Sequence, residues 1–242
     1  MTNPLRLVQM TDLHLMASAE ARFKGVDSRL NFLKGLALAQ TLQPDWLILT
    51  GDLAQEEVTE TYQWLAAQLH ASGLRWQWLP GNHDDPLLMQ AFCPTGFYLS
   101  QQGWQLLGLN SQSPGEVAGR LDQQELQRLD AALQQPQPLL LALHHHPLAV
   151  GSAWMDALAL QQNEALWSRL DKASQPLVLL CGHVHQAAHW CRGAVEVYAT
   201  PATSLQFAPE QAHFSLDLEA PPGLRWIDLY PEGHWETQIV TY

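Results

Sequence analysis

The chain has 242 residues, 47% of them hydrophobic, with ten tryptophans and a formal net charge of −12. That length and apolar content suffice for a full core and exclude a disordered chain, while the acidic balance disfavours nucleic-acid polymers and anionic membrane surfaces, which need a basic footprint. Met1-Thr2-Asn3-Pro4 runs into an apolar segment without a basic leader, and no uncharged run approaches the ~18 residues of a membrane span. A soluble, cytoplasmic protein is expected, with residues 1–242 in one domain. The three cysteines, Cys93, Cys181 and Cys191, lack Cys-x-x-Cys spacing and read as reduced thiols, Cys181 as a small buried hydrophobe.

In chain order, Leu5 to Met10 reads as a strand that breaks off in Thr11-Asp12-Leu13-His14. A loop over Leu15 to Val26 follows, and Asp27-Ser28 offers the N-cap of a helix from about Arg29 to Leu42, whose Leu30, Leu33 and Ala37 would cover a sheet. Pro44 ends it. A second strand over Asp45 to Thr50 stops at Gly51-Asp52. Helical periodicity over Glu56 to Ala71 places Tyr62, Leu65, Ala66 and Leu69 on one face. The run Trp76 to Leu79 then stops at Pro80-Gly81-Asn82-His83-Asp84, where glycine allows positive φ or close backbone approach, so that an amide, an imidazole and a carboxylate converge.

Pro86 opens a short helix containing Leu87, Leu88 and Phe92, and Trp104 to Asn110 reads as a strand. Asp122 caps a helix over Gln123 to Leu133, with Glu125 completing a capping-box pattern. Leu139 to Leu143 ends in His144-His145-His146-Pro147. A loop over Pro147 to Leu160 offers Trp154 and Met155 either to a substrate or to the core. After a helix from about Gln161 to Lys172, Leu177 to Cys181 ends in Gly182-His183-Val184-His185. Short strands near 194–199, 213–218, 224–230 and 234–240 are expected to complete a second sheet.

Five apolar runs thus end in five polar tips. Short apolar runs without alternation suit strands buried on both faces, and in such α/β sheets ligands bind beyond the carboxyl ends of the strands. Each tip alone is an ordinary turn; five in this order exceed what chance turns supply. The residues Asp12, His14, Asp52, Asn82, His145, His183 and His185 make a ligand set for two ions, with Asp52 placed to bridge. Oxygen and nitrogen donors without thiolate favour Mn, Fe, Zn, Co or Ni, and the mixed histidine/carboxylate shell argues against Ca. Two divalent ions would also give an anionic substrate the positive field that an acidic protein otherwise lacks. His70, His189, His213 and His234 stand outside the tips.

The order Asp-x-His, Gly-Asp, Gly-Asn-His-Asp, His and Gly-His-x-His resembles the calcineurin-like metallophosphoesterases over nearly the whole chain. That resemblance implies a four-layer α/β-β/α sandwich and a dinuclear centre of divalent or mixed-valence ions, Fe, Mn or Zn. It implies Asp12, His14, Asp52 and His185 on one ion and Asp52, Asn82, His145 and His183 on the other. The family's His-His-Pro aligns His145 as the ligand, with His144 as the alternative.

Within that superfamily, Gly51-Asp52-Leu53-Ala54-Gln55, Trp78 to Asp84, His144 to Leu148, Leu180 to Gln186 and Ala199 to Phe207 are similar to bacterial class III cyclic-AMP phosphodiesterases. The implied reaction is hydrolysis of 3′,5′-cyclic AMP to 5′-AMP by a bridging hydroxide; the alternatives are a broader phosphodiesterase acting on glycerophosphodiesters or 2′,3′-cyclic nucleotides and, against the full ligand set and His83, a non-catalytic metal-dependent sensor. His83 is expected to protonate the leaving alkoxide or stabilise its charge, with Asp84 or a backbone carbonyl orienting its ring. His14, Asn82, His83 and His185 are expected to touch the substrate. Walls for the base are expected from the His146 to Trp154 loop and the Thr203 to Phe207 segment.

Overall fold

The structure, a computed structural model, describes residues 3–242. From strand β1 (Leu5–Met10), helix α1 (Ser28–Thr41) leads to β2 (Trp46–Thr50) and α2 (Thr59–Ala71) leads to β3 (Trp76–Leu79). The short helix α3 (Pro86–Met89) precedes a hairpin of β4 (Phe97–Gln101) and β5 (Trp104–Gly108). Helix α4 (Gln123–Leu133) leads to β6 (Leu139–Ala142), and α5 (Ala153–Asp156) and α6 (Glu164–Leu170) lead to β7 (Leu177–Cys181). The remainder is β8 (Ala188–Arg192), β9 (Val195–Ala199), β10 (Gln206–Phe207), β11 (Leu216–Asp217), β12 (Gly223–Leu229) and β13 (Trp235–Thr241). One sheet has the order β13-β12-β1-β2-β3 and the other β4-β5-β6-β7-β9-β8, with β10-β11 a separate ribbon.

The apolar strands sort their residues by parity, because successive side chains point to opposite faces. Leu5 and Leu7 of β1, Leu140 and Ala142 of β6, and Val178 and Leu180 of β7 meet in one core between the two sheets. Val8 and Met10 of β1 pack outward with Phe32 and Leu36 of α1 and Tyr62 and Leu65 of α2. Leu139 and Leu141 of β6 pack outward with Leu126 and Leu129 of α4 and Leu166 and Trp167 of α6. Three cores between four layers make the expected α/β-β/α sandwich.

Several elements differ from their expected form. In α1, Asp27 does cap, accepting from the Leu30 amide at 2.9 Å, but the buried face is Phe32, Leu36 and Ala39, while Leu30 and Leu33 are exposed. Helix α2 begins at Thr59 rather than Glu56; the Glu56 carboxylate instead accepts from the Ala17 amide at 2.8 Å. The C-terminal strands divide between the sheets. Only β9, with the unforeseen β8, joins the second sheet, whereas β12 pairs antiparallel with β1 and carries β13 on its far side. The strand expected over 213–218 shrinks to the two-residue β11.

The parallel trio β1-β2-β3 and the parallel set β5-β6-β7-β9 bring their carboxyl ends together. A buried polar clasp ties the two sheets just below that edge. Gln9 donates to Thr50 Oγ1 (2.8 Å) and to the Cys181 carbonyl (3.1 Å), and accepts from Thr200 Oγ1 (2.6 Å). Among the described residues no helix is long and apolar enough to cross a membrane.

Candidate metal centre

Three of the five tips leave their strands through left-handed backbone. Asp12 (φ 53°), His14 (43°), Asp52 (51°), His183 (69°) and His185 (50°) all have positive φ, a conformation costing about 1–3 kcal/mol each for non-glycine residues and typical of functional sites. The tips also interlock. Asp12 N donates to the Gly51 carbonyl at 3.0 Å and His14 N to the Asp52 carbonyl at 2.9 Å, while the Asp12 carboxylate accepts from His183 N (3.2 and 3.0 Å). A Cβ on Gly81 would run into the Asp52 side chain and amide, and one on Gly182 into Thr11 Oγ1, so at both places only glycine lets the backbones approach.

Three imidazoles share one arrangement. His14 Nδ1 is 2.9 Å from Gln55 Oε1, His144 Nδ1 is 2.8 Å from the Thr50 carbonyl, and His185 Nδ1 is 2.7 Å from the Leu205 carbonyl. Each Nδ1–H donates to an oxygen, which turns each Nε2 toward the carboxylates, the arrangement metal-ligating histidines adopt. His14 Nε2 and His185 Nε2 face one another at 3.2 Å, and His185 Nε2 is 3.3 Å from Asp12 Oδ1. Asp52 turns an oxygen each way, Oδ2 to His14 Nε2 (3.6 Å) and Oδ1 to His144 Nε2 (3.4 Å). His144 Nε2 also lies 3.3 Å from Asn82 Oδ1 and 3.2 Å from His183 Nδ1.

His144 therefore occupies the place expected for His145. A ring nitrogen of His145 does lie within 4.8 Å of His144 and His183. Both its nitrogens are nevertheless taken, Nδ1 by Ser111 Oγ (2.8 Å) and Nε2 by the Val117 carbonyl (3.0 Å). The parity of β6 explains the choice, since His144 continues the inward phase of Leu140 and Ala142 while His145 continues the outward phase of Leu141 and Leu143.

Asp84 is buried, but its carboxylate does not orient His83. It accepts from Gly81 N (2.9 Å), Leu53 N (3.1 and 3.0 Å), Ala54 N (3.0 Å) and Tyr62 Oη (3.2 Å), bracing the Asp52 tip against the Asn82 tip. Burial, aided by the Asp52 charge, pushes its pKa up to about 7 against those amide bonds. His83 lies on the rim of the cavity, its backbone N–H on Asp52 Oδ1 (2.9 Å) and its ring edge-on to His14 at 5.0 Å.

Burial and charge set the protonation of the cluster. Burial pushes His14 down to about 3 and His183 far below the ordinary range, so both rings are neutral. For Asp12 and Asp52 burial acts upward, but the opposing histidine charges and hydrogen bonds, led by His185 and His144 respectively, together hold both carboxyls low. His144 is raised to about 9, because Asp52, with Asp12 and the Thr50 carbonyl, overcomes its burial penalty. The cluster thus offers two carboxylates and the neutral rings of His14 and His183 to a cation, and His144, positively charged beside Asp52, must release its Nε2 proton to join them. His183 Nε2 is buried without a hydrogen-bond partner. An orphaned ring nitrogen, inward-facing Nε2 atoms and paired carboxylates fit divalent metal ions, which take deprotonated donors of these types. The sets Asp12/His14/His185 and Asp12/Asp52/His144 each bring their donor atoms within 4.8 Å of one another.

Sequence reasoning missed two contributors, Phe23 and Lys24, whereas Trp154 and Phe207 lie in the segments expected as walls. Phe23 stacks on His14 (4.4 Å between centroids, 10°) and Phe207 on His185 (3.9 Å, 11°). Trp154 and Lys24 line the same cavity, whereas Met155 is buried in the outer core as well as reaching the cavity wall. Phe23 and Lys24 lie in a loop whose composition gave no signal.

The calcineurin-like phosphoesterase family model matches residues 5–187. A 3′,5′-cyclic-nucleotide phosphodiesterase from Nostoc sp. is 34% identical over 98% of this chain and 92% of its own. The 3′,5′-cyclic adenosine monophosphate phosphodiesterases CpdA of Vibrio vulnificus and Escherichia coli are 36% and 33% identical, covering 98% and 97% of this chain and 90% and 89% of theirs. Among solved structures, a dimetal phosphatase from Danio rerio superposes with a TM-score of 0.69 at 13% identity, covering 99% of this chain and all of that one, a likeness of fold. On the family match and the whole-length relatives, the chain belongs to the calcineurin-like phosphoesterase family.

Proposed function

We propose that the protein is a metal-dependent phosphodiesterase that hydrolyses 3′,5′-cyclic AMP to 5′-AMP in the cytoplasm. The observation that carries the chemistry is Asp52, with one carboxylate oxygen toward His14 and the other toward His144. The substrate is supported by the near whole-length likeness to cyclic-nucleotide phosphodiesterases.

In this reading Asp12, His14, Asp52 and His185 hold one ion, and Asp52, Asn82, His144 and His183 hold the other. Fe, Mn and Zn suit this donor set. When bound, the two ions lower the pKa of water to yield a nucleophile at neutral pH and neutralise charge on the phosphoryl oxygens. Cleavage breaks the bond between phosphorus and the 3′ oxygen, and His83, on the rim beside His14, delivers a proton to that oxygen. Asn82 and His83 reach the site on one turn, held by the His83 N–H on Asp52 and by the Asp84 braces. The net charge of −12 is met at the cluster, and nothing in the charge balance suits a polymeric nucleic acid.

The test is kcat/KM for 3′,5′-cyclic AMP beside 2′,3′-cyclic AMP, glycerophosphoethanolamine and an aryl phosphodiester, all with the same metal. The 3′,5′-cyclic nucleotide is expected to lead. A value far below that for the glycerol diester would reassign the protein as a broad phosphodiesterase.

A further inference from the structure

The cavity, of about 260 Å³ with the ligand cluster in its lining, opens outward between the segments that carry Phe23 and Lys24, Trp154 of α5, and Phe207 to Phe214. Trp154, Phe207 and Phe214 pack edge-on to one another, with centroids 5.2 to 5.3 Å apart. Phe214 is nonetheless 47% exposed at the mouth, and Lys24 Nζ stands 4.9 Å from its ring centre. The indole Nε1 of Trp154 is buried without a hydrogen-bond partner, so this residue offers its ring, and not its N–H, to an occupant of the cavity. Gln55 presents a donor, because its Oε1 is taken by His14 Nδ1 and its amide nitrogen is left over.

The outer cavity therefore offers aromatic faces and N–H donors, and no carboxylate. Those features complement a flat heteroaromatic ring whose edge carries nitrogen acceptors, as a purine does at N1, N3 and N7. We infer that Trp154, Phe207 and Phe214, with Lys24 at the rim, form the subsite for a purine base, which stacks on this aromatic wall. This rests on the phosphodiesterase reading, since the base is placed by a diester held at the metal cluster. The exposed Phe214 ring is covered when the base stacks, and the Phe207 ring joins the two halves of the site by stacking on His185.

The test compares 3′,5′-cyclic AMP with base-free ribose 3′,5′-cyclic phosphate in the metal-loaded wild type, Phe214→Ala and Trp154→Ala. Stacking on an aromatic side chain predicts a loss of roughly 5- to 150-fold in kcat/KM on cyclic AMP for Phe214→Ala, expressed mainly in KM, with the base-free diester within about twofold of wild type. Trp154→Ala removes a second ring of the wall and should also weaken cyclic AMP selectively. Calorimetry gives an independent reading: both variants should bind 5′-AMP more weakly while binding ribose 5-phosphate as wild type does. Equal losses on both substrates, or no loss on cyclic AMP in either variant, would overturn the subsite while leaving the phosphodiesterase assignment standing. A wild type that cleaves the base-free diester as well as cyclic AMP would do the same. A wild type inert on cyclic AMP would overturn both.

Discussion

His144 is pinned to Thr50: its Nδ1 meets the Thr50 carbonyl at 2.8 Å, and the same ring presents Nε2 to Asp52 and Asn82. Next along the chain, His145 spends both nitrogens on Ser111 and Val117. Elemental analysis after metal loading should accordingly find about one equivalent lost in His144→Ala and little or none in His145→Ala. The second variant should instead lower the thermal midpoint, because it leaves the Ser111 hydroxyl and Val117 carbonyl unpaired. The reverse pattern would restore His145 as the ligand.

Replacing His83 by Ala should cut kcat on cyclic AMP by roughly 10²- to 10⁴-fold with metal content unchanged. The loss should shrink on an aryl diester, whose nitrophenolate departs without a proton. Identical losses on the two substrates would remove the general-acid role.

Asp84→Ala strips acceptors from three backbone amides and from Tyr62. Each buried group left unpaired costs on the order of 1–3 kcal/mol, so denaturant titration should show a stability loss of about 3 kcal/mol or more, which His83→Ala should not show. Metal affinity should fall too, since Asp84 holds the Asp52 and Asn82 tips together.

The metal-free protein should lose stability on acidification. Burial keeps His14 and His145 neutral down to about pH 3 and His146 to about 4, whereas the unfolded chain protonates these rings near 6.5. Between those limits the unfolded state binds more protons, so stability falls as pH falls. Asp84, raised to about 7 from 3.8, opposes this as a single group. His144, raised to about 9, contributes stability that is full below 6.5 and lost as pH rises through 9. The thermal midpoint with chelator present should peak near pH 6–7; a midpoint that climbs steadily toward pH 4 would contradict the neutral-imidazole cluster.

Thiol labelling should follow exposure. Cys191 is exposed, Cys93 is partly buried, and burial raises the Cys181 thiol far above the ordinary range. Native protein should label at Cys191 first and spare Cys181 until it is unfolded.

The five apolar runs, and the polar residues that end them, were legible from sequence because short unbroken apolar segments are characteristic of strands covered on both faces. So were the Asp27 and Asp122 caps, each of which accepts the amide three residues on. The same covering of both faces hid the phase of Leu139 to Leu143: with leucine or alanine at every position, alternation cannot say which parity faces inward, and the choice between His144 and His145 waits on the packing of two sheets. The buried face of α1 was hidden likewise, since Leu30 and Leu33 match Phe32 and Leu36 in apolar character and only the angle at which the helix meets β1 selects between them. The role of Asp84 depends on the amides of residues 53 and 54, about thirty positions earlier, and the aromatic wall on loops distant in sequence that meet only across the closed edge of the sheets. Local pattern determined which residues stand at the strand ends; tertiary packing decided where their side chains point, because direction is set by neighbours far along the chain.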